Sequence, residues 1–331
     1  MKAILLEGIN EPLKLVDVDI PHLLPSEALI KVKASAFNRR DWWIKQGKYA
    51  GLKFPIILGS DASGIVEAVA DECDKAWIGQ EVIINPGLNW GENENCQSAD
   101  FQILGLPENG TFAEFVKVSV TQLQKKPHFL SFEEAAALPL AGLTAYRALF
   151  TKARVKKGDK VLIAGAGGGT STFAILFALA AGADVYVTSG STEKIEKAIS
   201  LGAKAGVCYK NANWDEELFT YTKGFDIIID SALGDGFSKY LNLANPGGKI
   251  VFFGGTAGNI PELNGRPVFW KQLQILGTTM GSPKDFAAML DFVNQHQIRP
   301  IIDEILKLAD AEKAINKMNT FGQFGKIILK N

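Results

Sequence analysis

The segment best suited to chemistry is Lys160-Val-Leu-Ile-Ala-Gly-Ala-Gly-Gly-Gly-Thr-Ser-Thr-Phe-Ala-Ile175. An apolar strand ends at Ala164, the glycines Gly165, Gly167, Gly168 and Gly169 follow at once, and a helix starts near Thr170 with Ser171 in its first turn. Phosphate binding needs this order. Glycines permit a tight turn and close backbone approach, and a helix N-terminus offers free N–H groups to an anion. The last glycine of the G-x-G-x-x-G pattern falls at Thr170, so the fingerprint is incomplete, and a glycine-rich turn without a ligand is the competing reading. The next apolar strand, Asp184–Thr188, runs into Ser189-Gly190-Ser191, with Lys194 one turn into the following helix. A site for NADH would carry Asp or Glu at this tip to hold the ribose 2′-hydroxyl. Hydroxyls and a cation suit a 2′-phosphate, which predicts NADPH as cofactor. The plainer alternative has Ser191 capping the helix and Lys194 solvated.

Other chemistries find little support. Three histidines (His22, His128, His296) are few for a histidine-based metal site, and no Ser/His/Asp or Cys/His nucleophile arrangement is visible. Three cysteines (Cys73, Cys96, Cys208) cannot form a disulfide framework, and the odd count suits a reducing compartment. Lys plus Arg number 35 against 36 Asp plus Glu, so no global field would draw nucleic acid or an anionic membrane. The apolar run at Ile4–Leu6 is too short for a signal sequence, and the longest such stretch, Thr172–Gly182, is well below a membrane span of about 20 residues. The expectation is a soluble cytoplasmic protein acting on a small molecule.

At 331 residues the chain is long for one core, which predicts two domains. The first 120 residues read as short strands between Gly, Pro and Asn clusters. In Leu29–Ala36, apolar Ile30, Val32, Ala34 and Ala36 alternate with Lys31, Lys33 and Ser35, the signature of a half-buried strand. Similar strands are predicted at Lys2–Leu6, Leu13–Val18, Ser63–Val69, Glu81–Ile84 and Phe112–Val118. From about residue 127 the pattern changes. Ser131-Phe-Glu-Glu134 is a capping box opening a helical stretch, and apolar strands then alternate with helices, which predicts a parallel sheet covered on both faces. Ser282-Pro283 opens a last long helix, and Lys326–Leu329 reads as a final strand. The boundaries predicted are 1–126 with 282–331 for a β-rich domain, and 127–281 for an α/β domain.

In order and spacing, Asn38-x-x-Asp41, Tyr49, Pro55-Ile-Ile-Leu-Gly59-Ser-Asp61-Ala-Ser-Gly64, Gly110-Thr-Phe-Ala-Glu114, Pro139-Leu-Ala-Gly-Leu-Thr144, Gly165–Ser171, Gly247-Gly-Lys249 and Gly325-Lys326 resemble the medium-chain dehydrogenase/reductase superfamily, in particular its zinc-independent, quinone oxidoreductase-like branch. The resemblance implies an α/β protein with a GroES-like catalytic domain interrupted by a Rossmann domain, a doubly wound parallel sheet. It also implies a homodimer joined at the sheet edge near Ile275–Met280.

Zinc-dependent members take ligands at positions matching Asn38, Ser60-Asp61 and the 138–142 region, and a four-cysteine lobe would fall within 85–110, where only Cys96 stands. Amide and hydroxyl are poor zinc donors, so no metal is expected. Without a Lewis acid, quinones and α,β-unsaturated carbonyls are the easier hydride acceptors because their charge delocalises. The resemblance implies the same acceptors, with NADPH as donor; solvent or a hydroxyl is expected to supply the proton, and no residue is assigned as general acid. A carbonyl or alcohol reductase, or an NADPH-binding regulatory protein, is the alternative. Asn38 and Tyr49 are the substrate-side candidates, each with a packing role as the competing reading. Beside the glycine loop, the cofactor candidates are Thr144, Ser189, Gly190, Ser191, Lys194, Tyr209, Phe253, Gly254 and Lys326; a surface lysine is the other reading of Lys326.

Overall fold

The computed structural model describes residues 1–331 apart from the side chain of Cys73. The chain forms two compact units, Met1–Leu143 with Gly281–Asn331, and Thr144–Met280. The alternating strand Glu27–Ala36 is the spine of the first unit. It pairs antiparallel with Asp61–Val69, with Phe115–Ser119, and with the C-terminal strand Lys326–Lys330, whose register sets Ile328 opposite Ala36. Glu81–Ile84, Leu123–Lys125 and Ile302–Lys307 complete this seven-stranded sheet. Its inward residues Ala28, Ile30, Val32, Ala62, Val66, Val82 and Ile84 pack as one apolar cluster. A second cluster, with Ile4, Phe37, Ile44, Phe112 and Ile315, closes over the three-stranded sheet of Lys2–Leu6, Lys14–Asp17 and Ile56–Ile57.

The second unit holds six parallel strands. Numbered within the unit by their place in the chain, they lie in the order 3-2-1-4-5-6: Ala205–Cys208, Asp184–Ser189, Lys160–Ile163, Phe225–Asp230, Ala244–Phe252 and Gln274–Gly277. Near-continuous apolar runs such as Ile227-Ile228-Ile229 are what a strand covered on both faces requires. The order reverses beside Lys160–Ile163, so the glycine loop leaves the sheet at the switch point where doubly wound sheets bind ligands.

Residues 127–143 belong with the first unit, not with the α/β domain to which the change of pattern assigns them. The helix Phe132–Ala137 starts at a Ser131–Glu134 capping box as expected. It buries Ala135, Ala136 and Ala137, the Phe132 carbonyl accepts the Ser63 hydroxyl, and Glu133 pairs with Lys330. Local periodicity finds a helix but not the sheet it packs on. The helix Pro283–His296 begins as predicted, with Pro283 after a Ser282 cap. No helix among the described residues is long and apolar enough to cross a membrane. Cys96 is exposed and Cys208 half-buried, both as free thiols; the side chain of Cys73 lies outside the described residues.

Candidate active site

Each unit carries one set of candidate residues. In the first, the spine strand ends at Ala36 and the chain turns through Asn38 into the helix Arg39–Lys45. Asp41 folds back to accept the Asn38 backbone N–H at 2.8 Å, which caps the helix and fixes the turn. The Asn38 side chain is held at both ends. Its Oδ1 accepts from Lys326 Nζ at 2.6 Å, and its Nδ2 donates to Asp61 Oδ2 at 2.9 Å. Lys326 and Asp61 form an ion pair at 2.9 Å with their side chains 2% and 0% exposed, and Asp61 Oδ1 accepts the Leu140 N–H. Burial is tolerable because each charge has a charged partner and further hydrogen bonds. Of the two readings of Lys326, a surface lysine does not hold: its ammonium is buried and engaged inside the first unit.

Beside this triangle Arg40 donates to Ser60 Oγ at 2.8 Å and to the carbonyls of Leu104 and Ile103. Its Nε lies 3.4 Å from the Tyr49 hydroxyl, and its guanidinium carbon lies 5.0 Å from the centre of the Tyr49 ring. Arg40 therefore organises Tyr49. The loop carrying Tyr49 is bounded by Gly47 and Gly51, both at positive φ. Trp42 packs against the apolar core of the first unit, whereas Trp43 lies under the Lys48 ammonium. Burial pushes the carboxyl of Asp41 up to about 6, against the opposing pull of Arg40.

The loop within 85–110 is organised by Trp90, which is buried, meets Phe101 edge-on at 5.3 Å and donates to the Asn93 carbonyl. Cys96 there accepts from Asn93 Nδ2. Among the described residues, no group of three or more His, Cys, Asp or Glu is placed to hold a metal ion.

In the second unit, Gly165 and Gly167 take φ of +74° and +118°, which side chains resist. Gly168 precedes the helix Gly169–Ala180, and no side chain caps that helix. A Cβ at Gly168 would meet nothing closer than Ser171 Oγ at 3.7 Å, so the chain's own packing does not demand glycine there. The first turn, Gly169, Thr170 and Ser171, has no side-chain cap, the arrangement in which a helix N-terminus can take an anion. The Ser171 and Ser189 hydroxyls are engaged within the loop, donating to the carbonyls of Ala164 and Ala166. Ser191 stands at the N-cap of the helix Thr192–Ser200 and makes no side-chain cap hydrogen bond there. At Gly190 a Cβ would come within 2.7 Å of the Tyr209 hydroxyl and 3.1 Å of Lys210 Cε. Gly190, Tyr209 and Lys210 thus meet at the strand tip that also carries Ser191 and, one turn on, Lys194. Thr144 is buried, with its hydroxyl 4.0 Å from Met280 Sδ. Phe253 follows the fifth strand, and Gly254 is required by the chain itself, because a Cβ there would lie 2.7 Å from the Ser231 carbonyl oxygen.

Residues 24–128 match the alcohol dehydrogenase GroES-like domain, and residues 169–295 match the zinc-binding dehydrogenase domain. The zinc-type alcohol dehydrogenase-like protein YogA of Leptosphaeria maculans is 33% identical, across 96% of this chain and 94% of its own. Human quinone oxidoreductase is 30% identical, across 97% and 94%. A crystal structure of an NAD-dependent alcohol dehydrogenase superposes with a TM-score of 0.92 at 35% identity, covering both chains fully. The chain belongs to the medium-chain dehydrogenase/reductase superfamily. It is an oxidoreductase of that superfamily, with the GroES-like and Rossmann-like architecture the motifs imply.

Two residues of this superfamily member escape motif reading. Arg40 is visible only as half of an Arg-Arg pair, and its role emerges once Tyr49 and Leu104 fold around it. Lys210 follows Tyr209 directly, but nothing in its spacing points to Gly190.

Proposed function

We propose that the protein is a zinc-free, NADPH-dependent oxidoreductase whose acceptor is a quinone or an α,β-unsaturated carbonyl. NADPH, when bound, supplies the hydride. The backbone from Gly165 to Gly169 and the amides of Thr170 and Ser171 would hold the diphosphate, with Ser189 bracing the loop. Gly190, Ser191, Lys194, Tyr209 and Lys210 would take the 2′-phosphate, two lysines supplying the charge. Thr144, Phe253 and Gly254 are the residues assigned to the nicotinamide side.

The observation that carries the zinc-free reading is the ammonium of Lys326 on Asn38 and Asp61. An amide, the Ser60 hydroxyl and a carboxylate already neutralised by lysine are a donor set that does not fit zinc. With no Lewis acid, the acceptor's oxygen must be met by hydrogen bonds: the remaining Asn38 amide hydrogen and the Tyr49 hydroxyl steadied by Arg40. Donors of that strength suffice where negative charge spreads over an enolate or hydroquinone anion. The name of the human relative supports the same acceptor class. The alcohol dehydrogenase names among the relatives favour a carbonyl or alcohol reductase as the second reading. A homodimer is part of the proposal: Gln274–Gly277 lies at the edge of the parallel sheet, and Phe269 and Trp270 nearby are 68% and 80% exposed.

Fluorescence titration of NADPH against NADH, followed by NADPH oxidation with a simple quinone and a short enone, tests the reading. NADPH should bind at least tenfold tighter, Lys194→Ala with Lys210→Ala should remove roughly 10- to 100-fold of that affinity and leave NADH alone, and a chelator should not slow turnover. Stoichiometric zinc in the purified protein with chelator-sensitive alcohol oxidation would establish the second reading instead.

A further inference from the structure

We propose that Lys326 is a positioning residue: it fixes and polarises the Asn38 amide, and acts on the substrate oxygen through it. The proposal rests on the reading above, in which Asn38 donates to that oxygen.

A side-chain amide can be set either way round, with its oxygen and nitrogen exchanged, and its neighbours decide which. Here the decision is made by opposite charges. Lys326 Nζ stands 2.6 Å from Asn38 Oδ1, and Asp61 Oδ2 stands 2.9 Å from Asn38 Nδ2. A flipped amide would turn its NH2 onto the ammonium and its carbonyl onto the carboxylate, two repulsive contacts in place of two attractive ones. Both charged side chains are almost completely buried, so water screens little of this preference. Locked this way, Asn38 keeps one amide hydrogen beyond those contacts. The ammonium on Oδ1 withdraws electron density from the amide and makes that hydrogen a stronger donor, as in any hydrogen-bond chain that starts at a charge.

The backbone places the lysine for this purpose. Ile328 pairs with Ala36 in antiparallel register, and the Phe37 N–H donates to the Ile327 carbonyl. Continuing that register by two residues brings Lys326 level with Asn38. Gly325 precedes it at a φ of +109°, and a Cβ there would lie 2.3 Å from the Ile301 carbonyl oxygen. The last strand can therefore start where it does only with glycine at 325. Asp61 is steadied in turn by the Leu140 N–H on its other oxygen. Lys326 thus stabilises developing charge without touching the substrate, through a fixed amide.

A double-mutant cycle on the full-length protein tests this, with NADPH and a simple quinone as substrates. Lys326→Met alone would strand the Asp61 carboxylate, so it is made together with Asp61→Asn, which removes both charges at once. Its partner in the cycle is Asn38→Ala. Melting temperature and NADPH affinity are followed for every variant. Each arm should lower kcat roughly 10- to 100-fold, the scale for losing one well-aimed donor, with NADPH affinity unchanged. Combining the arms should cost no more than either alone. Multiplying losses would overturn the proposal, because Lys326 would then act independently of Asn38. A loss that appears in NADPH affinity, with kcat preserved, would overturn it in favour of a cofactor contact. An Asn38→Ala variant with full turnover would overturn the reading beneath it, a different result from either.

Discussion

On the function proposed above, the two units meet negative charge by opposite means. In the first unit the charge is met by side chains that are sealed and already bonded to one another: Asn38, Asp61 and Lys326 in one triangle, Arg40 and Ser60 beside it. In the second unit it is met by backbone whose conformation is set by Gly165 and Gly167 and whose first helical turn no side chain caps. On that proposal, the contrast follows from what each set would hold. A transient charge on a reacting oxygen is best met by dipoles that do not move, so those groups are fixed in advance. A diphosphate brings its own charge and acceptors, so the loop can leave its N–H groups ready for it. Lesions in the first set should therefore register as stability and turnover, and lesions in the second as affinity.

The largest expected effect is on the first side. Asp61→Ala leaves the Lys326 ammonium buried with Asn38 Oδ1 as its partner and strips the Leu140 N–H of its acceptor. Breaking a buried pair from one side costs about 3–5 kcal/mol. Urea unfolding should show that loss, and a variant within about 1 kcal/mol of the parent would mean the triangle is not the anchor of this region. Gly168→Ala sharpens the other side. The added methyl meets nothing closer than 3.7 Å and the site lies at ordinary negative φ, so the urea midpoint should hold. The same methyl would intrude on the diphosphate, and NADPH affinity should fall at least tenfold, about 1.4 kcal/mol. Equal affinity would show that the cofactor does not approach Gly168.

This division also explains how far the sequence can be read. The cradle is contiguous: one strand, one run of glycines and one helix give it away, and the parallel sheet follows from alternating apolar runs. The triangle is assembled from residues far apart in the chain. Asn38, Asp61 and Lys326 can be marked one by one from motifs, but Lys326 lies 265 residues from the carboxylate it pairs with. The registers of the last strand and of Asp61–Val69 against Glu27–Ala36 bring them together. The early boundary fails for the same reason. Ser131–Glu134 states locally that a helix begins, while the packing of Ala135–Ala137 on the first sheet is a long-range fact. Gly254 shows the converse: a glycine at a strand end reads as room for a ligand, and the structure adds a second requirement, the Ser231 carbonyl that a Cβ would meet.

Asp41 offers the finest test of how tightly the first set is sealed. Its Oδ2 accepts the Asn38 N–H, whereas its Oδ1 is buried without a hydrogen-bond partner. Burial is the main cause that raises its carboxyl from the ordinary 3.8 to about 6; Arg40 and Lys326 pull it down, and Asp61 pushes it up. A carboxyl that holds its proton more tightly when folded favours the folded state at low pH. That advantage is complete below about pH 4 and is lost as pH rises through about 6. Between pH 5 and 7 the folded state should lose about 1 kcal/mol from this residue. Asp41→Asn keeps an acceptor for the Asn38 N–H and removes the titration. The stability difference between the variant and its parent, measured by urea unfolding, should therefore move in favour of Asn by about 1 kcal/mol over that interval. A difference that stays flat from pH 5 to 7 would mean that water reaches Asp41, and that the seal around Asn38 is looser than its hydrogen bonds require.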